Sequence, residues 1–344
     1  MTPPGIKSRP MKALELLVSL VIMKILFFEN KFFPKGKEGP GFDQEFNFAH
    51  ERGVAFEGTG AFFASGINHG GDIHFLDTSD GTSIDLKGWV TKSFGDNEPV
   101  ASKYELGTFY KRIWRPLAFN SSFHKAISQE KLNESFVALR ILLTKLEALF
   151  ETIEPSVENL PAYGHKIREL LLLACMEVES AWAAVLKENN YATSGDRLTT
   201  RDYIKLKEVM FLDAYDLSLQ SYPRFPSFNP FKSWVSTNAT ESLVWYDSYN
   251  KTKHDREENL KFATLENVVH AVGAAVVMFY AQFGFNFGAG PNDPKSSVIR
   301  NIFKLTTTGL VKYEKEFYIP KVELQAESRR PAPSWEWVAI NYPF

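Results

Sequence analysis

Trp245-Tyr-Asp-Ser-Tyr-Asn-Lys-Thr-Lys-His-Asp-Arg256 is a crowded polar stretch that feeds directly into a long apolar run, Glu258 to Phe283. A helix that is apolar on nearly every side is either the centre of a core or a membrane span. Glu266 and His270 interrupt this run, and a span needs ~20 largely apolar residues. The pattern therefore predicts a core helix ringed by other helices. On the preceding polar helix, Asn250 and His254 are spaced i, i+4 and share a face, while Tyr249 is turned from Asn250 by about 100°.

The neighbouring segments supply the ring. Leu132, Phe136, Leu139, Leu142, Leu143, Leu146 and Phe150 recur at helical spacing between Glu130 and Ile153, ahead of Pro155. A second helix is predicted from Tyr163 to Asn189, apolar from Leu170 to Leu186 except for Glu177, Glu179 and Ser180. The two carboxylates point about 160° apart, so at least one turns inward and needs a cationic or hydrogen-bonding partner. Lys253, Arg256 or His254 are the expected partners, either as a structural pair or with the acid tuning His254. A helix is expected from Thr199 to Glu208, with Thr199 or Thr200 as N-cap, and its continuation to about Leu217 is left open. The loop Tyr222 to Trp234 holds three prolines and five aromatics, which rules out regular structure and disfavours full exposure. It is either a packed cover over the bundle end or a lid, with Trp234 against a ring and Arg224 and Lys232 near a phosphate.

Tyr249-Asn250-x-x-x-His254 resembles the R-[polar]-x3-H signature of HEPN domains, all-helical bundles that include metal-independent endoribonucleases. The resemblance spans residues 126–288. It implies Asn250 as orienter and His254 as general acid/base, often in a dimer with two motifs facing one cleft. The family's arginine position holds Tyr249, which cannot offer a phosphate a fixed bidentate charge. Lys251, Lys253 or Arg256 would have to replace it, and Lys253 shares a face with Tyr249. The competing reading keeps Asn250 and His254 as capping and hydrogen-bonding groups inside the bundle.

Outside 126–288 the texture changes. Residues 1–30 read as a leader or a misplaced start, since Met23-Lys-Ile-Leu-Phe-Phe suits the opening of a strand. Residues 31–125 are glycine-rich with alternating runs and predict a β-rich region, including a hairpin turn at Thr78–Gly81 ahead of a strand through Ser83–Val90. His69, Asp72, His74 and Asp77 match no firm metal-ligand spacing, so strand and turn roles are preferred. After the linker Phe287–Pro294, residues 295–344 read as a β-like segment completing the N-terminal part. The expected fold class is α+β: a central HEPN-like helical bundle with β-rich flanks.

Composition narrows the function classes. A net charge of −2 over 344 residues gives no general basic footprint for nucleic acid, though it permits a local patch. The single cysteine, Cys175, excludes an intrachain disulfide and suggests a reducing, cytoplasmic setting with no membrane association. Phosphate-binding loops, dinucleotide fingerprints, nucleophile elbows and zinc motifs are absent, so no cofactor is expected. The favoured expectation is a non-catalytic binding and dimerisation module that holds a nucleotide or a partner protein. The alternative is an endoribonuclease of toxin or phage-defence type, binding RNA and paired with an antitoxin-like protein. In that scheme Lys253 or Arg256 steadies the phosphate.

Overall fold

Capping and periodicity place the elements in the computed structural model, which describes residues 25–32, 51–66, 73–81, 83–115, 126–285, 293–307, 316–328, 330–334 and 336–344. In chain order come β1 (Ile25–Glu29), β2 (Arg52–Gly58), β3 (Ala61–Gly66), β4 (His74–Asp77), α1 (Leu86–Phe94), β5 (Val100–Ala101) and β6 (Thr108–Tyr110). Next are α2 (Gln129–Phe150), α3 (His165–Glu188), α4 (Thr200–Tyr203), α5 (Lys205–Val209) and β7 (Tyr215–Leu219). The last group is α6 (Val244–His254), α7 (Arg256–Asn259), α8 (Leu265–Phe283), α9 (Pro294–Ile302), β8 (Phe303–Thr307), β9 (Val322–Leu324), β10 (Pro331–Pro333) and β11 (Val338–Ile340). The architecture is mixed α/β with several small sheets, and its contacts divide into two units.

The first unit takes its described residues from Met1–Leu106 and Ile319–Ser334. Its sheet is antiparallel in the order β4-β3-β2-β1-β5, with Phe27 opposite Val54 and Phe56 opposite Phe63. Asp85 caps α1 by accepting from the Gly88 N–H at 2.7 Å. Leu86, Trp89, Val90 and Phe94 then form one buried face packed with Leu26, Phe28, Phe62 and Ala64. This corrects the expected strand at Ser83–Val90: the i, i+3, i+4, i+8 spacing of those apolar residues is helical, and Asp85 is a strong cap. Strand β9 lies against this sheet, with Thr59 bridged to Glu323. A side chain at Gly58 would sit 2.3 Å from the Val322 carbonyl oxygen, so glycine permits the close approach.

The second unit takes its described residues from Gly107–Pro116, Ser121–Tyr318 and Trp335–Phe344. Its hub is α8, where every residue except Glu266 and His270 is buried. Helices α2, α3 and α6 all pack on it. The apolar helix starts at Leu265, capped by Thr264, and not at Glu258; α7 and a short 3-10 turn, Leu260–Phe262, intervene. The aromatic loop is a packed cover. Phe225, Phe228, Phe231 and Trp234 are buried, whereas Arg224 and Lys232 are exposed. Phe228 exchanges backbone hydrogen bonds with Leu217 at 2.8 Å.

Two further expectations are corrected. Residues 294–302 are helical, opened by Asp293 and Pro294. The C-terminal strands do not all join the N-terminal sheet: β8 pairs with β7, and β11 runs parallel to β6. The leader through Lys24, His69, Asp72 and the start of the linker lie outside the described residues. Among the described residues no helix is long and apolar enough to cross a membrane.

Candidate functional site: the seam between α3 and α6

Helix α6 turns Trp245, Ser248, Tyr249 and Thr252 inward, the spacing expected of a one-sided helix. Asp247 and Lys251 pair on the outside at 2.6 Å. The inner face meets α3 at Glu179. The Tyr246 hydroxyl donates to Glu179 Oε1, and the Tyr249 hydroxyl donates to Oε2 at 3.3 Å. Lys253 Nζ donates to the Tyr249 hydroxyl at 3.0 Å and lies over its ring at 5.0 Å. One half-buried carboxylate is thus held by two phenols, with an ammonium behind one of them.

The electrostatics agree with that assignment. Burial, followed by the Glu179 carboxylate, pushes the Tyr246 hydroxyl far above its ordinary value. Burial also raises Tyr249, opposed by its hydrogen bond from Lys253. Both phenols therefore keep their protons at neutral pH and act as donors. Lys253 is raised, first by its hydrogen bond to Tyr249, so it stays charged. Next to the seam, burial drives the Cys175 thiol well above its usual range, which removes it as a nucleophile.

The end of α6 is closed by capping. Arg168 donates from Nε and Nη2 to the Thr252 carbonyl at 3.1 and 2.9 Å, placing a cation at the negative end of the helix. Asp255 is extended, at φ −140° and ψ 91°, and its carboxylate accepts from the Glu258 N–H to start α7. Arg256 consequently stands on a different helix from His254. Sequence reasoning missed Arg168 because nothing local distinguishes a basic residue in the first turn of α3.

The expected site residues therefore separate. His254 is the exposed last residue of α6, Asn250 is half-buried, and Lys253 and Arg256 are exposed. Neither Asn250 nor His254 hydrogen-bonds through its side chain to a described residue, so the capping role expected for them is not made. Glu177 does not meet Lys253, Arg256 or His254 either; it lines a cavity with Arg112 on another side of α3. Trp234 is buried and stacked on Trp182, ring centres 5.0 Å apart, and Trp182 also contacts Tyr203 and Tyr246. Among the described residues no group of three or more His, Cys, Asp or Glu is placed to hold a metal.

The geometry defines a tyrosine–glutamate seam in a helical unit, with a half-buried Asn250 and an exposed His254 apart from it. The chain matches no protein-family model, no curated protein and no solved structure.

Proposed function

We propose that the helical unit is a HEPN-like binding module without nuclease activity, in which α6 is architecture and ligands are held elsewhere on the bundle. The observation that carries this reading is Tyr249, 1% exposed, standing where the family's arginine would contact phosphate. Its hydroxyl is engaged by Glu179 and Lys253. The local charge supports the same reading. Residues 247–258 carry three cations, Lys251, Lys253 and Arg256, against four carboxylates, Asp247, Asp255, Glu257 and Glu258. A polyanion is poorly received by such a surface. Self-association of the module is part of the proposal.

The endoribonuclease reading retains one observation in its favour: the side chains of Asn250 and His254 make no hydrogen bond to a described residue, so a ligand would displace none there. In that reading His254 is the general acid/base, Asn250 orients it, and Lys253 and Arg256 steady the phosphodiester. RNA would then be the substrate, and an antitoxin-like protein the partner. The deciding experiment incubates RNA with the purified protein and with His254→Ala, without added metal. The expected result is no cleavage by either. Cleavage by the parent that disappears in His254→Ala would overturn the binding-module reading and restore the nuclease.

A further inference from the structure

A cavity of about 280 Å³ opens between α2, α3 and α8, on a side of α3 away from the tyrosine seam. Its walls are unusually short-chained for a place where three helices meet. Ala138 comes from α2, Ala181 and Ala184 from α3, and Ala275 from α8. Larger residues at these positions would close the space that packing normally fills. Met278 and Phe279 give it an apolar, polarisable side.

The polar lining is asymmetric. Arg112 stands at one end in the left-handed region, φ 55°, a conformation that costs energy for a residue with a side chain. Its guanidinium is already committed: Nε donates to Glu188 at 2.6 Å and Nη1 to Gln282 at 2.7 Å. Glu188 also receives Lys131 at 2.7 Å. Gln282 is fixed in turn by donating to the Met278 carbonyl at 3.0 Å. The positive end is thus already engaged by protein, with Arg112 and Lys131 sharing the single Glu188 carboxylate. Glu134 and Glu177 are different, because neither makes a hydrogen bond or ion pair to a described residue. Glu177 is half-buried in the cavity wall, and Glu134 lies exposed at its edge. Burial raises the Glu177 carboxyl, partly offset by the Arg112 charge, as expected of a carboxylate without a close cation.

We infer that this cavity binds a small organic cation, an alkyl mono- or diamine whose ammonium pairs with Glu177 while its methylenes lie against Met278 and Phe279. The assignment rests on the binding-module reading and names its ligand class. The chemistry follows from what is left unmade. An ammonium brings up to three donors to an acceptor-only carboxylate, in a site where a charge-assisted hydrogen bond is among the stronger ones available. A dianion of the same length would instead meet two carboxylates and an arginine that is already paired.

Three four-carbon probes differing only in charge test this by calorimetric titration of the full chain: 1,4-diaminobutane, 4-aminobutyrate and succinate. The expected order is diamine tightest and succinate weakest. Glu177→Gln should weaken the diamine by about tenfold or more, the range of a lost hydrogen bond to a charged group. Ala181→Met, which fills the space, should abolish binding while the protein still unfolds cooperatively. Succinate or 4-aminobutyrate binding as tightly as the diamine would overturn the inference. So would diamine affinity unchanged in Glu177→Gln or in Ala181→Met, or no diamine binding at ~10 mM, weaker than a millimolar site would show. These outcomes are separate from the RNA experiment. Failure here leaves the seam as architecture, whereas cleavage lost in His254→Ala would remove the binding-module reading without altering the titration.

Discussion

His270 shows how a single side chain couples this fold to pH. It stacks on Phe228, ring centres 4.3 Å apart and nearly parallel, and burial pushes its pKa down to about 4 from 6.5. Between those two values the unfolded chain takes up a proton that the folded chain refuses. Stability is therefore intact above about pH 6.5, falls as the pH drops toward 4 and levels off below. The total loss is about 3 kcal/mol. Urea unfolding at pH 7 and pH 4.5 should show this slope, and His270→Phe should flatten it while keeping the stack. An equal acid loss in the variant would mean that carboxylates elsewhere carry the effect. The residue-level reading of the sequence was uneven in the same region. That a carboxylate on α3 turns toward α6 was legible from helical geometry. That its partners are Tyr246 and Tyr249 was not, because helical spacing ranks cations and phenols equally once a face is known.

At the level of elements, the contact between the aromatic cover and α8 is the most exacting. A side chain at Gly273 would meet Phe228 at 2.7 Å and Leu217 at 2.9 Å. Gly273→Ala gains helix propensity but overpacks a rigid aromatic contact, so a net loss of about 1–3 kcal/mol is expected. A lower urea midpoint with unchanged slope is the signature, and an unchanged or higher midpoint would show that the cover can yield. Long helices were legible because repetition over many turns averages out local exceptions; α2 and α3 fall close to their expected bounds. Boundaries set by one residue were not. Asp255 reads as one more polar position in a helical run, yet it breaks the run by taking an extended backbone and capping the next helix. Helix α1 carried a helical spacing that its glycine-rich surroundings obscured.

For the whole molecule, the outer sides of α2 and α3 present Val137, Ile141, Leu173 and Met176 to solvent, each 36–57% exposed. Grouped apolar residues on two packed helices favour a partner of like kind. Light scattering should report a dimer for the parent protein and a monomer for Ile141→Glu combined with Met176→Glu. A monomeric parent, or a variant that stays dimeric, would rule out this face. The helical segment and the β-rich flank could be told apart from texture alone. The return of Ile319–Ser334 to the first unit could not, since three-residue strands such as β9 and β10 have too little pattern to reveal their partners.

That return sets a timetable for synthesis. Among the described residues the first unit breaks off after Leu106 and resumes at Ile319, and the ribosome adds residues at about 5–20 per second. Strands β1 to β5 therefore wait roughly 10–40 seconds for the segment that lies against them, while the second unit emerges as far as Tyr318. Through that interval the Gly58 side of β2 lacks the strand that later approaches it.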